Sequence, residues 1–71
     1  MGGKLMIQLW GTDACTPCKQ AKMLLDKHRI PYQWVDVRFI NFNGIIPRLI
    51  LEDGREIEGL PEINKYLRGR K

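Results

Sequence analysis

The chain has little cysteine and less histidine: Cys15 and Cys18 are its only thiols, and His28 its one imidazole, in 71 residues. Two thiols are too few for the disulfide framework of a small secreted scaffold. They are also too few for a four-thiolate zinc site unless two chains share one. The count points to a reactive pair in a reducing compartment. No stretch approaches the roughly 20 apolar residues of a membrane span, and Met1 to Lys4 does not lead into a signal-peptide core with a small-residue cleavage site. Met6 stands where a myristoylation pattern begun by Gly2 needs Ser or Thr. The expectation is a soluble cytoplasmic protein without a membrane partner.

Internal repeats, low-complexity segments and linkers are missing too, so residues 1–71 read as a single domain with a small core that uses every apolar stripe. Basic residues exceed acidic ones to give a formal charge of +4. The excess gathers in Lys65, Arg68, Arg70 and Lys71. One short cluster without interleaved aromatics is a weak nucleic-acid footprint, and cations in a last helical turn suit the helix dipole. A solvated helix end, with no nucleic-acid partner, is expected.

The residues that are present alternate strand and helix signals. Lys4 to Trp10 places Leu5, Ile7 and Leu9 on one side and Met6, Gln8 and Trp10 on the other, as in a strand with unequal cover. Gly11, Thr12 and Asp13 break the run, and Thr12 or Asp13 is suited to cap the next element. Thr16 to Arg29 reads as an amphipathic helix. Ala21, Leu24, Leu25 and His28 form its buried stripe, which Cys18 extends toward the start. Cys18 is therefore expected to be half-buried and Cys15 exposed at the helix start. Pro17 suits the first turn, and Ile30-Pro31 ends the helix.

Tyr32 to Val37 is a second strand, parallel to the first through a right-handed crossover. Arg38 to Gly44 reads as a loop carrying apolar side chains. Pro47 to Leu51 and Arg55 to Glu58 are antiparallel strands joined through Asp53-Gly54, a strong hairpin signal. After Gly59, Pro61 takes a first-turn position, and Leu60, Ile63 and Leu67 repeat at helical spacing to Arg68.

A strand, a Cys-x-x-Cys, a helix, a strand, an Ile-Pro strand, an Asp-Gly hairpin, a glycine and a helix, in that order from Lys4 to Leu67, resemble the glutaredoxins and the wider thioredoxin-like family. The resemblance implies an α/β, minimal thioredoxin-like fold: a four-stranded mixed sheet with two main helices, a cis Ile46-Pro47 bond, and Pro47 packed beside the cysteines. The helix usual between the second strand and that proline is reduced here to a loop. The nine residues Arg38 to Ile46 need only pass over one strand, about 10 Å. This leaves a thinly covered sheet face near Met6, Gln8 and Trp10, to be covered by Phe39, Ile40 and Phe42 or by a second copy of the chain, unless those residues only fill their own loop.

The resemblance further implies a dithiol thiol-disulfide oxidoreductase. A thiolate attacks and a thiol does not, and a helix start lowers a thiol pKa through its unpaired amides. Lys19 and Lys22 add positive potential. Cys15 is the expected nucleophile and Cys18 the residue that resolves the mixed disulfide. Thr16, Pro17, Ile46, Pro47, Gly59 and Leu60 are the substrate-binding candidates, with no metal or bound organic cofactor required. His28 lies 13 residues beyond Cys15, about 20 Å along a helix, too far to act as its base within one chain. Asp13 serves to tune the site or to cap the helix, and Trp10 to pack or to line a docking rim.

The electron donor is open between glutathione and thioredoxin reductase. Glutaredoxins typically hold glutathione with a basic residue near the first cysteine and a Gly-Gly-polar turn. Here Thr12, Asp13 and Ala14 precede Cys15, and the turn reads Gly59-Leu60-Pro61-Glu62. Lys19, Arg38 and Arg48 remain to meet its carboxylates. Disulfide-containing proteins are the expected substrates, and the chain is expected to be a monomer or weak dimer. The rival reading is a thioredoxin-like binding module, or a dimer sharing a metal through its cysteines.

Overall fold

A computed structural model describes residues 6–69. Lys4, Leu5, Arg70 and Lys71, which figure in the expected first strand and basic terminus, lie outside them. The chain folds as β1 (Gln8–Gly11), α1 (Thr16–Lys27), β2 (Gln33–Asp36), a 3₁₀ turn at Val37–Phe39, β3 (Arg48–Ile50), β4 (Glu56–Glu58) and α2 (Leu60–Gly69). The sheet order is β2-β1-β3-β4. β1 runs parallel to β2 and antiparallel to β3, and β3 pairs antiparallel with β4. This is the expected α/β architecture of four mixed strands and two helices.

Strand alternation decides which side chains enter the core. Leu9 and Leu49 face each other across β1 and β3, both fully buried. Ile7 and Leu51 join them. The two helices cover this one face, contributing Ala21, Leu25, Ile63 and Leu67. The opposite face carries the half-buried Trp10 and Arg48, paired across β1 and β3, with the exposed Glu56 and Glu58 on β4.

Of the three loop residues expected to cover that face, only Phe42 does so. Its ring meets Trp10 edge-on at 5.2 Å, and the Arg48 guanidinium lies 5.0 Å from its centroid. Arg48 also pairs with Glu56 and Glu58. Phe39 is 81% exposed and Ile40 42% exposed; the 3₁₀ turn, whose Arg38 amide is capped by the Asp36 side chain, turns them outward.

Three local expectations are corrected. The cap of α1 is Cys15, neither Thr12 nor Asp13, because the Thr12 carbonyl already closes a turn by accepting from the Cys15 amide at 3.3 Å. The helix stops before Arg29. His28 is its C-cap, exposed and outside the buried stripe, and Arg29 is left-handed at φ 57°. The Ile30 amide reaches back to the Leu25 carbonyl at 2.9 Å and the Arg29 amide to Asp26 at 3.0 Å. This closure satisfies the last carbonyls and buries Ile30 against the core, so chain reversal and not Pro31 alone sets the end. Cys18 is buried completely instead of half-buried. No helix among the described residues is long and apolar enough to cross a membrane.

Candidate functional site

Asp36, Gly11, Pro47 and Gly59 end or adjoin four strands at one edge of the sheet. The β1–β2 register pairs Gly11 with Asp36. Carrying the β1–β3 and β3–β4 registers one step further sets Pro47 between Gly11 and Gly59. The Gly59 amide donates to the Pro47 carbonyl at 2.8 Å, which ties the start of α2 to this row. Gly59 has φ 88°, a conformation that glycine adopts without strain. The Ile46-Pro47 bond is cis, and Pro47 is fully buried. The carboxyl ends of parallel strands in an open α/β sheet are where ligands bind.

Cys15 and Cys18 stand at this edge because β1 ends there and α1 begins. Cys15 is extended (φ −96°, ψ 113°), and its Sγ accepts a hydrogen bond from the Cys18 amide at 3.3 Å. An amide that the helix leaves unpaired thus points at the Cys15 sulfur. Cys15 is half-buried instead of exposed as expected, its sulfur turned back onto the Cys18 amide, whereas Thr16 and Pro17 between the cysteines are exposed. Both thiols are free.

Cys18 turns inward against the end of β1. A Cβ at Gly11 would lie 2.5 Å from Cys18 Sγ and 3.2 Å from Trp34 Cη2, so a bare backbone at Gly11 makes room for the sulfur. Burial above all, with the Cys15 sulfur beside it, pushes the Cys18 thiol up to about 11; the Thr12 backbone and Lys22 act in the opposite direction. Cys18 therefore holds its proton at neutral pH while Cys15 faces outward.

Charges surround the pair. Lys22 Nζ sits 3.8 Å from the Trp34 ring centroid and 3.5 Å from Asp13 Oδ1. Arg38 grips Asp36 through Nε and Nη2, the latter at 2.7 Å, and approaches Asp13 at 3.8 Å. The Arg38 side chain and amide hold the Asp36 carboxyl below its ordinary range. Asp13 is thus an ion-pair partner and not a cap.

Among the substrate-binding candidates, Thr16 and Pro17 are exposed at the helix start, and Ile46 is half-buried beside Pro47. Gly59 joins them through Pro47. Leu60 lines an open groove of ≈ 730 Å³ between α1 and α2, with Met23 and Leu24. Gly11 and Trp34 belong to the site although sequence pattern alone does not gather them there, whereas Lys22 and Asp13, read from the sequence as charges of the site, are joined in it as an ion pair. The readable signal is the four-residue step from Cys18 to Lys22, which puts both on one helix face. Among the described residues, no three or more His, Cys, Asp or Glu are grouped to hold a metal ion.

Comparison with known families agrees with this geometry. Residues 7–39 match the family model described as Glutaredoxin. The matched span runs from β1 through both cysteines and α1 to the 3₁₀ turn. No curated protein matches the chain.

Proposed function

The chain is a glutaredoxin-like protein of minimal thioredoxin-like fold, and from that premise we propose that it is a dithiol thiol-disulfide oxidoreductase acting through Cys15 and Cys18. The observation that carries this reading is the inequality of the two thiols. Cys15 caps α1 at the site edge with its sulfur accepting from the Cys18 amide and remains partly accessible. Cys18 is buried and keeps its proton.

The Cys15 thiolate attacks one sulfur of a substrate disulfide. A mixed disulfide forms and the first substrate thiol leaves with the electron pair. Cys18 then loses its proton to solvent and attacks Cys15 Sγ. The Cys15–substrate bond breaks, the Cys15–Cys18 bond forms, and the second substrate thiolate leaves and takes up a proton. Substrate gains two electrons and the protein dithiol is oxidised. Thr16, Pro17 and Ile46 supply the accessible surface around Cys15 for an extended substrate segment, and Pro47 and Gly59 fix the backbone behind it.

Cys15→Ser abolishes disulfide reduction in this mechanism, and Cys18→Ser accumulates the mixed disulfide, seen as an adduct by intact-mass spectrometry. Full reductase activity in Cys15→Ser rules the mechanism out.

Ion pairing favours a protein such as thioredoxin reductase as electron donor over glutathione. Arg38 is engaged by Asp36 and Asp13, and Arg48 by Glu56 and Glu58. Of the three cations suited to glutathione carboxylates, only Lys19 is left without an acidic partner among the described residues. NADPH consumption with a disulfide substrate, followed once with thioredoxin reductase and once with glutathione plus glutathione reductase, separates the donors. Equal or faster turnover with glutathione reverses the assignment.

A further inference from the structure

Resolution of the mixed disulfide requires a thiolate at the least hospitable point of the site. Cys18 is fully buried, and at neutral pH a thiol titrating near 11 is ionised only in trace amounts. A nearby cation raises that fraction, and it does so most effectively where water is excluded.

Lys22 meets both conditions. It stands four residues beyond Cys18 on one face of α1, and helical side chains lean toward the helix N-terminus, here toward Cys18. Cys15 is seven residues away, about 10 Å along the axis. The Lys22 ammonium is held in place: Nζ lies 3.8 Å from the Trp34 centroid and 3.5 Å from Asp13, and the side chain is only 31% exposed. The Trp34 ring carries this ammonium and also borders the space over Gly11 that the sulfur fills. Its Cη2 is 3.2 Å from the point over Gly11 that Cys18 Sγ approaches to 2.5 Å. The sulfur end of this arrangement is closed off from water, since Cys18 is fully buried.

Given the dithiol reaction proposed above, on which this inference rests, we propose that Lys22, seated on Trp34 and tethered by Asp13, stabilises the Cys18 thiolate as it forms and attacks. Cys18 passes its proton to solvent, and its electron pair forms the bond to Cys15 Sγ while the substrate sulfur leaves. The other charged groups facing this region are Cys15 on α1, Asp13 in the preceding turn, and Asp36 and Arg38 at the end of β2. Arg38 is spent on Asp36 and Asp13. Lys22, although paired with Asp13, is the cation whose charge acts on Cys18, and it does pull that thiol downward, against burial and Cys15.

Ellman's reagent reads both chemical steps in one stopped-flow trace. Attack by Cys15 releases one thionitrobenzoate, and resolution by Cys18 releases a second. Lys22→Met keeps the aliphatic stem on Trp34 and removes the charge. In this variant the second phase slows about three- to tenfold at pH 7, and its pH profile moves upward by up to about one unit. The first phase stays within about twofold, because Lys22 is two turns from Cys15. Lys22→Arg restores the second phase. A second phase in Lys22→Met that matches wild type from pH 6 to 10 overturns the assignment. So does equal slowing of both phases without rescue by arginine, which marks a structural role. A wild-type protein that releases a single thionitrobenzoate has no resolving step, and the dithiol reading fails together with this one. Should Lys22→Met not fold, Lys22→Gln carries the same comparison.

Discussion

Gly11 and Cys18 share one volume: the position a Cβ would take on Gly11 is 2.5 Å from Cys18 Sγ. Gly11→Ala therefore forces the sulfur or the end of β1 to move. A loss of stability of about 1–3 kcal/mol is expected, as for other overpacked cores, measurable by urea denaturation of the reduced protein. Resolution of a mixed disulfide slows in the same variant because the displaced Cys18 no longer faces Cys15.

Burial of Cys18 predicts a raised titration for that thiol. In Cys15→Ser, absorbance at 240 nm reports Cys18 alone. Its midpoint falls below about 11, since the Cys15 sulfur no longer raises it, yet stays above 9.0 because burial is the largest cause. A thiol whose folded pKa exceeds its unfolded value favours the folded state below pH 9.0, and that contribution is lost as pH rises toward 11. Reduced wild type loses roughly 1–2 kcal/mol across this window, and Cys18→Ser loses correspondingly less. Urea midpoints at pH 8 and pH 11 make the comparison.

Phe42 and Phe39 lie three residues apart and differ in consequence. Phe42 packs on Trp10 and under Arg48, so Phe42→Ala costs about 1–2 kcal/mol and exposes Trp10. A red-shifted tryptophan emission accompanies it. Phe39 is 81% exposed, so Phe39→Ala stays within about 0.5 kcal/mol of wild type.

Arg29 takes a left-handed conformation at φ 57° to close α1, a place that glycine usually fills. Arg29→Gly relieves that conformation while loosening the unfolded chain. The net effect is a gain of roughly 0.5–1 kcal/mol, read as a higher urea midpoint.

Element order is legible in the sequence because each signal is local. Alternation in Ile7 and Leu9, the helical stripe of Cys18, Ala21 and Leu25, the Asp53-Gly54 hairpin and the Leu60, Ile63, Leu67 repeat all have their counterparts in the fold. The cysteine pair is legible too, since a three-residue step across a helix start brings two thiols to one turn. His28 departs from expectation for an equally local reason. Periodicity extends a stripe past the point where Ile30 and Arg29 turn the backbone back on Leu25 and Asp26.

By itself, then, the sequence determined that Cys15-Thr16-Pro17-Cys18 opens a helix after a strand, with one thiol outward and one inward. Only the tertiary structure decided what the inward thiol meets. Gly11, Trp34 and Lys22 come from a strand end, a neighbouring parallel strand and the next helical turn, and register and packing place them around one sulfur. Tertiary pairing also decided which carboxylate holds which cation: Asp36 holds Arg38, Glu56 and Glu58 hold Arg48, and Asp13 holds the Lys22 that acts on Cys18. Local pattern fixes which face a residue lies on, but the electrostatics of a buried thiol depend on contacts between segments distant in the chain.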